Sequence, residues 1–183
     1  MKLSTIVNKK IVWIVFIVII GIILINTFNV YEGIFYVDGK YNTNTQKVVI
    51  QPFIKDKKGK YNADYLHLSQ LKLYGESGII DYNAESSNGI YDDNNNYDKL
   101  TDSDRKTIFH SKKKNATLTL TPKHGSSKIT KIVIVNRLDC CLDRLRGYQL
   151  SIIRNDGSVF FSKKLNDLPN LYTRPYMEEL LIS

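Results

Sequence analysis

The chain has 183 residues, with 26 Lys and Arg against 18 Asp and Glu for a formal net charge of +8, and only two cysteines and one tryptophan. That length fits one domain of about 100–150 residues with a segment to spare. The two cysteines, Cys140 and Cys141, are neighbours, so they cannot staple distant segments, and no second Cys or His pair stands at the spacing of a zinc site.

Charge does not point to nucleic acid. The basic residues fall in separate short runs, "KDKKGK" at 55–60 and "KKK" at 112–114, with no DNA- or RNA-binding motif around them. Such runs read as solvated loops that also suit an anionic lipid or glycan surface.

In chain order, residues 1–10 form a basic tail with Lys2, Lys9 and Lys10. Residues 11–28, "IVWIVFIVIIGIILINTF", carry no charge, and at about 1.5 Å per residue they reach across a hydrocarbon core of about 30 Å. The run exceeds the apolar stretch of a cleavable leader, and no small-residue cleavage site follows. The expectation is a retained transmembrane helix in the lipid bilayer. Lysines before it and Glu32 and Asp38 after it place the N-terminus in the cytoplasm and the rest of the chain outside, a single-pass membrane protein.

Residues 29–45 read as a stalk. From 46 to 183 strands dominate, predicted at 47–54, 64–75, 115–122, 128–136, 147–153 and 157–165, with turns such as "DKKGK" and "RNDGS" between them. "YLHLSQLKLY" and "TLTLT" alternate as half-buried antiparallel strands do. This pattern predicts an all-β sandwich or jelly roll. Residues 79–106 are crowded with Asn, Asp, Ser and Gly. They read either as a surface loop or, because clustered side-chain oxygens suit a hard cation, as a calcium-binding segment.

The cysteines follow the strand "KIVIVN" and sit between Arg137 and Arg144, with Asp139 able to pair with one arginine. Export makes oxidation of the pair plausible. A stiff sulfur platform between two guanidinium forks suits a sugar, hydroxyls to the forks and a C–H face to the platform. The plainer alternative is a free thiol pair among loop salt bridges.

"NRLDCCLDRLRG" (136–147) resembles the Asn-Arg-x-Asp-Cys-Cys-x-x-Arg-x-x-Gly signature of F-type lectins, or fucolectins, within the discoidin or coagulation-factor type C, galactose-binding-like superfamily. The resemblance covers roughly residues 46–183 and implies a galactose-binding-like jelly-roll sandwich. It implies fucose- or galactose-type glycans held by His110, Arg137 and Arg144, with Asp139 in the same turn and a Cys140–Cys141 disulfide packing on the sugar. "DSDRKTIFHS" is similar to the family's calcium segment. That likeness implies Ca2+ near Asp102, Asp104 and Thr107, a main-chain carbonyl around Lys99, and Glu178 or Glu179 near the end of the domain. Ser103 stands where the family has Gly. Domains with this knuckle are also familiar from large DNA viruses, so viral or membrane structural proteins are expected partners alongside glycans and glycoproteins.

His67 and His124 match no motif and read as structural or solvent residues. Asn115-Ala-Thr is a glycosylation sequon. No Ser/His/Asp set, paired carboxylates or phosphate loop appears, which points away from an enzyme. The sequence therefore reads as a membrane-anchored carbohydrate-binding module, the alternative being a structural membrane or virion protein that uses its sandwich for protein contacts.

Overall fold

The computed structural model describes residues 46–123, 128–174 and 176–182, all within one compact unit, Thr43–Ser183. The expected tail, membrane helix and stalk (1–45) and His124 lie outside the described residues. Among the described residues no helix is long and apolar enough to cross a membrane.

The fold is all-β. In chain order the strands are β1 (Lys47–Pro52), β2 (Tyr65–Leu68), β3 (Gln70–Gly75), β4 (Gly78–Ile80), β5 (Tyr82–Ser86), β6 (Phe109–Lys114), β7 (Leu118–Pro122), β8 (Lys131–Val135), β9 (Tyr148–Ile153), β10 (Val159–Lys164) and β11 (Met177–Leu181). They pair antiparallel into a five-stranded sheet, β10-β9-β1-β7-β5, a four-stranded sheet, β11-β8-β3-β4, and a separate pair, β2-β6.

Period-two alternation builds the core. Val48 and Ile50 of β1 stand opposite Leu120 and Leu118 on one side and Ile152 and Leu150 on the other. Leu71 and Leu73 of β3 face Ile134 and Ile132 of β8, with Leu180 of β11 beyond Ile132. These residues of both large sheets belong to one apolar cluster. Each such side chain contributes about 1.5–3 kcal/mol when fully buried.

The predicted strand 64–75 divides at Ser69. Its N–H donates to the Val135 carbonyl at 2.9 Å and its hydroxyl to the Arg105 carbonyl at 3.0 Å. The chain thereby leaves its pairing with β6 and joins β8. Leu66, His67, Leu68 and Ser69 are all fully buried, so here alternation does not mean one wet face.

The polar stretch 79–106 is also ordered. It holds β4, β5 and two 3-10 turns, Asp93–Asn95 and Tyr97–Leu100. Asp92 accepts from the N–H groups of Asn94 and Asn95, and Asn96 from that of Asp98, which is how such side chains start turns. Leu100 is buried, Tyr97 stacks on Phe109 with centroids 5.4 Å apart, and the Tyr97 hydroxyl accepts from the Ser86 N–H. Strands β6 and β11 had no strand forecast from sequence, because "FHSKKK" and "MEELL" carry charges that hide a two-residue period.

Where the turn 142–147 enters β9, a Cβ added to Gly147 would lie 2.9 Å from the Ala63 Cβ and 3.1 Å from its Cα. Gly147→Ala is therefore expected to destabilise the protein by about 1–3 kcal/mol. In urea unfolding, Ala63→Gly combined with Gly147→Ala should lose less than the sum of the two single changes.

Candidate functional site

The site grows from the outgoing end of β8. Asn136 is fully buried. Its Nδ2 donates to the carbonyls of Leu142 (3.0 Å) and Leu171 (2.9 Å), and its Oδ1 accepts from the Arg137 N–H (2.9 Å). One side chain thus fixes both ends of residues 137–142. Within that turn Cys140 and Cys141 are joined as a disulfide. Cys141 has φ 61° and ψ 32°, a left-handed conformation that costs an L-residue about 1–2 kcal/mol.

Both arginines are held. Arg137, largely buried, makes a bidentate pair with Asp139 at 2.6 Å through Nε and Nη2. Those bonds hold the Asp139 carboxyl well below the usual carboxylate range. Arg144 Nε lies 3.4 Å from Asp64 Oδ2, and its guanidinium stands over the Tyr65 ring at 5.6 Å. Asp64 also meets Lys114 at 3.3 Å. Burial alone would raise its pKa, but the Tyr65 N–H, Lys114 and Arg144 outweigh that and lower it.

Two histidines complete the cluster. His67 of β2 and His110 of β6 are direct cross-strand partners with rings 6.0 Å apart. His110 sits between Tyr65 (5.2 Å) and Tyr91 (5.0 Å). Its Nδ1 is 2.8 Å from the Ser111 carbonyl. A carbonyl only accepts, so Nδ1 carries the proton and Nε2 keeps a lone pair. His67 Nδ1 is 3.5 Å from Arg137 Nη1. Guanidinium only donates, so this Nδ1 is the bare nitrogen and Nε2–H is a buried donor without a hydrogen-bond partner. Burial, then Arg137 and Arg144, push the His67 pKa down to about 3; burial also lowers that of His110. The Cys141 backbone acts the other way on the His67 ring and favours its protonated form, the smallest of the influences on it.

Of the residues singled out in the sequence, His110, Arg137, Asp139, Cys140, Cys141 and Arg144 come together here. His67, Asp64 and Tyr65 join them. For His67, which matches no motif, the missing signal was register: only the β2–β6 pairing sets it beside His110.

The proposed calcium residues form two groups. Thr107 Oγ1 donates to Asp102 Oδ2 at 2.7 Å, and Asp102 Oδ1 accepts from the Asp104 N–H at 3.0 Å. Ser103, with φ 65°, takes the left-handed turn a glycine would favour. Lys99 Nζ stands 3.8 Å from Asp102. On β11, Glu179 pairs with Lys131 at 3.6 Å while Glu178 keeps a buried, unpartnered Oε2. Among the described residues no three His, Cys, Asp or Glu gather as a metal cluster. The Asn115 side chain accepts from the Ala63 N–H at 2.6 Å.

An open groove of about 610 Å³ lies beside the knuckle, lined by Ile54, Asn62, Asp64, the disulfide and Arg144 among others. Neither His110 nor Arg137 lines it. No protein family, curated protein or solved structure matches the chain.

His67 has a depressed folded-state pKa, so the unfolded chain binds the extra proton, and stability present above pH 6.5 falls as pH drops toward 3. Between pH 7.5 and 5 the His67 contribution is expected to cost roughly 2 kcal/mol, with His110 adding in the same direction. Urea midpoints of His67→Asn should show a shallower loss over that range than those of the wild type.

Proposed function

We propose that the chain is a membrane-anchored carbohydrate-binding module, presented outside the cell or on a virion membrane, whose β-sandwich is of the galactose-binding-like jelly-roll kind. One observation carries the reading: His110, Arg137 and Arg144 are linked through His67 and Tyr65, next to the turn at the end of β8 that holds the adjacent-cysteine disulfide. Each offers what a sugar needs. The His110 Nε2 lone pair accepts from a hydroxyl, the guanidinium edges left open by Asp139 and Asp64 donate to ring and hydroxyl oxygens, and the disulfide with Tyr65 and Tyr91 gives apolar surface for a C–H face. The internal ion pairs leave the cluster nearly charge-compensated, which favours a neutral sugar of the fucose or galactose type.

The full chain on a glycan array is expected to retain fucosylated or galactosylated glycans. Arg137→Ala or Arg144→Ala should each weaken binding by about one to two decades, the loss of charge-assisted hydrogen bonds worth roughly 1.5–3 kcal/mol. Ser at both 140 and 141 should weaken binding with the fold retained, because an adjacent pair closes almost no loop. No sugar response in the wild type, with an assembly partner lost when the arginines change, would instead establish a structural membrane or virion protein.

Calcium is part of the same reading. Asp102, Asp104 and Thr107 would hold the ion with the Lys99 carbonyl, and the buried, unpartnered Oε2 of Glu178 is the reason to keep β11 in the set. Bound there, it would fix the segment that leads into β6 and His110. Calcium at about 100 times its dissociation constant should stabilise the protein by about 2.7 kcal/mol, read as a raised Tm that Asp102→Ala removes. An unchanged Tm with chelator would leave the Asp102–Thr107 bonds as a self-sufficient turn.

A further inference from the structure

We propose that the groove between Ile54, Asn62 and the Cys140–Cys141 turn is a second saccharide subsite, taking the neutral sugar residue next to the one held at His110, Arg137 and Arg144. The inference rests on the carbohydrate-binding reading and extends it from one ring to two. Arg144, Asp64 and the disulfide belong both to the cluster and to the groove, so a ligand larger than one ring meets the groove next. Its volume of about 610 Å³ falls within the roughly 300–1,000 Å³ of small-molecule sites.

The lining suits a pyranose. Ile54, Ala63, Leu142 and the disulfide supply apolar surface, and Ile54 is 40% exposed, an apolar side chain left open beside a polar rim. The Asn62 amide supplies a donor and an acceptor for hydroxyls. The charges that line the groove are matched: Asp64 pairs with Arg144 and Lys114, and Asp143 with Arg146 at 2.6 Å. A ligand with its own charge would have to break one of these pairs, whereas hydroxyls add to them.

The wall is also preformed, which spares ordering entropy on binding. Ile54 and Asn62 are tied by the Asn62 N–H to the Ile54 carbonyl at 2.9 Å and by the Lys55–Tyr61 bridge beyond them. Asp56 accepts from the N–H groups of Lys58 and Lys60, closing the hairpin, and Ala63 is fastened to Asn115.

Calorimetry on the full chain would compare methyl fucoside and methyl galactoside with fucosylated and galactosylated di- and trisaccharides. An oligosaccharide is expected to bind at least about tenfold tighter than its terminal methyl glycoside, about 1.4 kcal/mol. Ile54→Ser and Asn62→Ala should each erase most of that gain while methyl glycoside binding persists, which also reports an intact fold. Oligosaccharides that bind no tighter than the methyl glycoside, or a gain that survives both substitutions, would overturn the second subsite and leave the first standing. A wild type that binds no sugar of either size would overturn both.

Discussion

The candidate site depends on a single buried amide. Asn136 lies where β8 ends, and its two donated bonds and one accepted bond connect the first residue of the knuckle, the turn after the disulfide and Leu171. A buried amide so placed is costly to replace, because each partner left without it loses about 1–3 kcal/mol of satisfied hydrogen bonding. With both ends of residues 137–142 fixed, closing an adjacent disulfide and holding Cys141 left-handed become local matters. The core fixes Asn136, Asn136 fixes the turn, and the turn fixes the two arginines.

Electrostatics then sets what the cluster presents. Two guanidinium groups within range of two histidines would repel if the rings were charged, and burial keeps them neutral, His67 most strongly. A neutral imidazole can accept from Arg137, and an imidazolium cannot. Asp139 and Asp64 each take one edge of an arginine, which holds the forks in place before any ligand arrives. Preorganised, nearly compensated charge of this kind is suited to hydroxyl groups, which need direction more than net charge.

The polar segment 79–106 shows what composition leaves open. Read by composition it is a loop or an ion site; in the fold Leu100, Tyr97 and the side-chain caps of Asp92 and Asn96 make it a covering layer over β6. Asp92, Asn96, Asp102 and Asp104 accept from backbone N–H groups two or three residues on, a use that composition cannot separate from ion binding, because both need the same oxygens.

The sequence by itself determined the β class, because Val48, Ile50, Leu118 and Leu120 can share a face only at a period of two. It also determined the knuckle, because Arg137, Asp139, Cys140, Cys141 and Arg144 are so close in the chain that their proximity needs no long-range pairing. Tertiary structure alone decided the rest. Ser69 shifts the chain from β6 to β8 through bonds to Val135 and Arg105, partners more than thirty residues away. His67 meets His110, and Asp64 meets Arg144, only through strand register and loop closure, and no local propensity encodes either. A side chain's alternation says which way it points from its own strand; what it points at is set by the partner that folding brings there.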